Sequence, residues 1–118
     1  MEQLMQTGGH IEVVQGHNNR GSINEQIVLV DIIGLLSCVQ EGVITIDEAE
    51  IYMFSPYTVD KLKKYGVSDE IVNLVECGCE LEDIRDLLPQ ELDKTISELK
   101  NRAVSYIKNT NQNERWIK

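Results

Sequence analysis

Apolar residues in the last third of the chain recur at helical spacing. In "QELDKTISELKNRAVSYIK", residues 90–108, Leu92, Ile96, Leu99, Ala103 and Tyr106 follow one another at steps of 4, 3, 4 and 3. That is the single stripe of one long amphipathic helix. An earlier segment, "QIVLVDIIGLLSCVQE" (26–41), is apolar almost all round in its middle, and a helix of that kind is expected to be buried among its neighbours. The shorter stretches between them carry apolar positions three and four apart, with Val59, Leu62 and Tyr65 forming one inward face. Only "VITI" (43–46) alternates as a strand would.

Start and stop signals divide the pattern further. "SINE" (22–25) and "TIDE" (45–48) each place a hydroxyl residue three positions before a glutamate, the spacing of a capping box. Ser22 and Thr45 are therefore expected as N-caps. "SPYT" puts Ser55 at a cap and Pro56 at the first helical position, and Ser68 begins the next segment. Gly42, Gly66 and Gly78 read as stops. Pro89 separates a short helix, "ELEDIRDLL", from the long last one. Six helical segments with very short turns predict an all-α fold, a compact bundle of about five to six short helices spanning residues 22–109. Residues 1–21, with four glycines around a short "IEVV", read as a flexible N-terminal arm, and 110–118 as a frayed C-terminal tail.

A length of 118 residues suits one domain with a modest, mostly aliphatic core. The net charge of −9 repels phosphates and anionic membranes, which argues against direct nucleic-acid or membrane binding and in favour of a basic protein partner. The longest apolar run, "IVLVDIIGLL", has ten residues and contains Asp31, too short to span a bilayer. Three cysteines, an odd number, and an N-terminus without a basic and then apolar leader predict a cytoplasmic protein.

Candidate chemistry is sparse. Cys77 and Cys79 flank Gly78, but Cys38 lies in a distant apolar helix, and His10 and His17 lie in the arm. No metal site and no cofactor are expected from that set. Asp31 reads as a carboxylate that caps a neighbour or reaches the surface. No nucleophile–base arrangement, phosphate loop or metalloprotease motif occurs, so an enzyme is not expected.

Charge, by contrast, is concentrated. Residues 69–93 hold nine acids and one base, Arg85, whereas residues 94–118 hold two acids and six bases. Acids at helix starts are favoured by the helix dipole, by about 0.3–1 kcal/mol each, which accounts for Asp69, Glu70, Glu80, Glu82 and Glu91. It does not account for Asp86, at a helix end, or for Glu82 and Asp86 four apart on one face with Asp83 beside them. Glu76, Glu80, Glu82, Asp83 and Asp86 are therefore the expected partner-binding residues.

The stretches "EGVITIDEAEIYMFSP" (41–56) and "ELEDIRDLLP" (80–89) resemble those of a family of small uncharacterised bacterial proteins, over residues 23–108. That resemblance implies no catalytic residues. In size, acidity and helical character the chain also resembles the immunity proteins of bacterial toxin systems, including contact-dependent growth inhibition. This second likeness implies a partner such as a basic nuclease toxin domain, held through an acidic face. The alternatives are a phage-type nucleic-acid mimic acting on a defence nuclease, and a small regulatory or structural module, homodimeric through its apolar helices.

Overall fold

The computed structural model describes residues 23–114. The arm 1–21 with its "IEVV", Ser22 and residues 115–118 lie outside the described residues. The elements are α1 (Glu25–Gln40), α2 (Ile46–Tyr52), α3 (Pro56–Lys64), α4 (Asp69–Cys79), α5 (Leu81–Leu87), a 3-10 turn (Pro89–Glu91) and α6 (Leu92–Glu114). No strand occurs among the described residues; within "VITI", Val43 and Ile44 form a bend, Thr45 is the N-cap of α2 and Ile46 its first residue. The last helix continues to Glu114, into the segment read as a tail.

The expectation of about five to six short helices is corrected to four principal ones. These are α1, α3, α4 and α6, with 16, 9, 11 and 23 residues. The two seven-residue helices bury little: α2 contributes Ile46 and Ala49, and α5 contributes Leu81. Such short segments are held by what they pack on rather than by their own hydrogen bonds.

Several caps follow the sequence. Thr45 and Glu48 form the reciprocal box, at 3.0 and 2.9 Å. Ser55 accepts from the Thr58 N–H with Pro56 in the first turn, and Gly66 ends the segment at φ 74°. Gly42, at φ 78°, takes the chain out of α1, a conformation that glycine adopts without a Cβ penalty. Other signals are redirected by contacts between helices. Asn24, not Ser22, is the N-cap of α1, its Oδ1 accepting from the Ile27 N–H at 3.1 Å. Glu25 turns away to accept from the Ser68 N–H at 2.9 Å. Ser68 precedes α4 as expected but makes no side-chain cap bond; its Oγ lies 3.1 Å from the Tyr106 hydroxyl, which donates to it.

Gly78 is not a stop. The helix runs through it to Cys79, and the Phe54 ring packs on its Cα, so that a Cβ there would lie 2.7 Å from two ring carbons.

The core follows the two apolar helices. From α1 come Val28, Leu29, Ile32 and Leu36, and from α6 Ile96, Leu99 and Ala103, with Leu92 and Tyr106 at its edge. Val59, Leu62, Ile71, Leu74 and Val75 complete it from α3 and α4. Burial of α1 on all sides is not observed. Ile27, Val30 and Gly34 face outward, because α2, α4 and α6 pack on its other side.

The Phe54 contact yields a test. Gly78→Ala drives a methyl into the ring and should destabilise by about 1–3 kcal/mol, as overpacking does. Gly34→Ala, in a helix interior with nothing within 4 Å, should be neutral or stabilise by up to about 1 kcal/mol. Urea unfolding of the two variants checks both.

Candidate functional site: a carboxylate seam between two short helices

Burial of Ile46 and Ala49 fixes the rotation of α2, and this brings Asp47 and Glu50 out on one flank. Burial of Leu81, with Ile84 half-buried behind it, does the same for Glu82 and Arg85 on α5. The two flanks meet in antiparallel sense, Arg85 against Asp47 at one end and Glu82 against Glu50 at the other. Carboxylate oxygens of Asp47, Glu50 and Glu82 all lie within 4.8 Å of one another.

Arg85 serves only part of this seam. Its Nη1 donates to Asp47 Oδ1 at 3.3 Å and its Nε to Asp86 Oδ1 at 2.9 Å. These bonds, Asp86 first, raise its pKa further above the ordinary value. Glu50 is left facing Glu82. Partial burial, then a hydrogen bond to Glu82, then the charges of Glu82 and Asp47 push the Glu50 carboxyl up to about 7, against the opposing pull of Arg85.

The five residues expected from the sequence are not all in one place. Glu82 and Asp86 belong to the seam, directly or through Arg85. Asp83 is exposed one position further round α5. Glu80 is exposed at the α4–α5 junction, and Glu76 on α4 pairs with Lys63 at 3.7 Å. Glu76, Glu80 and Glu50 converge on Cys79, whose thiol is pushed up to about 11 by burial first and then by those three charges. A thiol so placed is neutral and unreactive at physiological pH.

Sequence reasoning missed Asp47 and Glu50. The capping box in "TIDE" uses Thr45 and Glu48 and accounts for neither Asp47 nor Glu50. The usable signal was Asp47 and Glu50 three apart, a second like-charged pair comparable to Glu82 and Asp86.

Other candidates are weaker. Exposed carboxylate groups lying within 4.8 Å of one another are common without a bound ion, and no other observation points to one, so the seam is not assigned as a metal centre. Cys77 lies 3.7 Å from Asn73 Oδ1 and 3.9 Å from Arg102 Nη1, away from any metal-like donor set. Asp31 is half-buried and engaged with a partner. A groove of about 310 Å³ beside α6 is lined by Glu70, Arg102 and Tyr106. Its one guanidinium is already bonded to Glu70 at 3.1 Å and Asn73 at 2.8 Å.

Arg85 is the base that tempers the seam, so Arg85→Met should lower the melting temperature. The loss should be largest near 0.01 M salt and mostly recovered near 1 M, as the screening length falls from about 30 to about 3 Å. Thermal melts at the two salt concentrations measure this.

No helix among the described residues is long and apolar enough to cross a membrane. Neither the curated proteins nor the solved structures contain a significant match to the chain. One family model, described as a protein of unknown function (DUF3969), matches residues 19–118. The chain belongs to the DUF3969 family.

Proposed function

We propose that this chain is a non-enzymatic inhibitory binding protein of the immunity type, which neutralises a basic nuclease domain in the cytoplasm by docking an acidic face on it. The observation that supports this most is the α2–α5 seam. Asp47, Glu50, Glu82 and Asp86 are gathered around a single arginine, and Asp83 and Glu80 lie at its edges. A nuclease groove built for phosphates presents the opposite charge, and such complementarity speeds encounter and suppresses wrong partners.

Exposed apolar residues support the same surface. Of the eight large hydrophobic side chains exposed among the described residues, five are Val43, Ile51, Tyr52, Leu87 and Leu88, on α2, α5 or their ends. Ile51 and Leu87 are 73% and 76% exposed. Apolar and aromatic anchors set among charges are what slow the release of a steered complex.

The test is a triple reversal, Glu82, Asp83 and Asp86 to lysine, with a basic nuclease domain encoded beside this gene as probe. The fold should persist, because none of the three is buried and reversal at 82 relieves the crowding at Glu50. Association should slow by at least about tenfold at low salt, and wild-type association should itself slow as salt rises. An unchanged association rate at low salt would reduce these acids to helix-start and solubility charge.

A further inference from the structure

Two observations are left unused by that reading, and neither depends on it. The first is geometric: Glu50 on α2 meets Glu82 on α5, with carboxylate oxygens of these two and of Asp47 within 4.8 Å of one another. Two carboxylates that close repel each other and neither has a proton to donate, whereas a proton on one turns the contact into a hydrogen bond. The second is that the neighbouring base among the described residues is committed elsewhere, since Arg85 bonds to Asp47 and Asp86.

We propose that the α2–α5 contact is a proton-dependent latch: one proton shared by Glu50 and Glu82 fastens α5 to α2, and its loss loosens α5.

The charged groups that act on Glu50 are Asp47 on its own helix and Glu82 and Arg85 on α5, while Cys79 at the end of α4 feels the Glu50 charge in return. Three of these four disfavour the ionised Glu50 or are themselves disfavoured by it; Arg85 alone favours it. Apart from this seam, α5 packs on α6, the 3-10 turn and the end of α4, with Leu81 buried and Ile84 half-buried as its apolar anchors. Loss of one seam hydrogen bond, replaced by repulsion between two carboxylates, therefore acts on a short segment with few apolar anchors. Such a segment opens locally without global unfolding.

The direction of the effect follows from the sign of the shift. Glu50 is raised from 4.5 to about 7 in the folded chain. Its contribution is fully present below pH 4.5, declines as pH rises, and is gone above about 7, because across that window the closed form binds more protons than the open one. Neutral pH thus lies at the top of the window, where small changes in acidity reset how tightly α5 is seated.

Amide hydrogen exchange of residues 81–87 in the full chain between pH 5 and 8, corrected for intrinsic rates, tests the latch. Protection of α5 should fall with rising pH, by up to about tenfold per pH unit for one proton, and level off near 7. Glu50→Gln supplies a permanent donor to Glu82 and should flatten the profile, and Glu82→Gln should do the same from the other side. Asp83→Asn, which removes an acid that does not act on Glu50, should leave the wild-type slope. The carboxyl carbon of Glu50, followed by NMR, should titrate near neutrality. A flat wild-type profile, or an unchanged slope in both glutamine variants, would overturn the proposal, as would titration of Glu50 in the ordinary carboxylate range. No partner enters these measurements, so they succeed or fail independently of the inhibitor reading.

Discussion

The packing of α1 along α6 is the contact on which the rest of the molecule hangs. Leu29, Ile32 and Leu36 meet the face of Ile96, Leu99 and Ala103, all buried, and each of the larger side chains contributes about 1.5–3 kcal/mol on leaving water. A polar clasp fixes the register. Gln40 donates to Ser97 Oγ and accepts from the Lys100 ammonium, both at 2.8 Å. At the other end, Glu25 of α1 holds the Ser68 N–H and Tyr106 of α6 holds the Ser68 hydroxyl. One serine thus ties the start of α4 to both long helices, and α3 and α4 then close over the core.

That arrangement leaves α2 and α5 at the periphery, and this is why they can carry charge. Their buried residues are few and apolar, while the contact between their flanks is made by carboxyl groups and one guanidinium. Like charges at helical spacing cost a few tenths of a kcal/mol on an exposed helix, and more where water is partly excluded. A lysine at 82 would pair with Glu50 and remove most of that cost. The seam is therefore a place where the chain carries an electrostatic penalty that the core does not require.

What was legible in the sequence was local. The stripe of α6, the Thr45–Glu48 box and the Ser55–Pro56 start are set by neighbours within four residues, and each is found as read. What was not legible depends on distant partners. "SINE" has the spacing of a box, but Glu25 is claimed by Ser68, 43 positions away, and Asn24 caps instead. Gly78 looks like a stop because a glycine that ends a helix and one that admits a ring leave the same letter; Phe54 decides between them. Residues 80–86 stood out as acidic, yet half of the seam comes from Asp47 and Glu50, which flank the capping glutamate Glu48 and have no part in the cap.

The acids of this chain divide by what they touch. Glu48 closes a cap, Glu25 accepts from a backbone N–H, and Glu70 pairs with Arg102. Each has a structural use that would explain it in any helical protein. Glu76 has only a long, exposed pair with Lys63, the kind of contact worth least. Glu50 and Glu82 face each other across the seam, with Asp47 in the same 4.8 Å cluster. Helix dipoles and capping account for the first group, and for Glu82 taken alone at the start of α5, but give no reason for setting Glu82 against Glu50. If the acidity served solubility alone, spreading these carboxylates apart would serve it as well without the repulsion. Their convergence on one edge, beside exposed Ile51 and Leu87, is what solubility alone leaves unexplained.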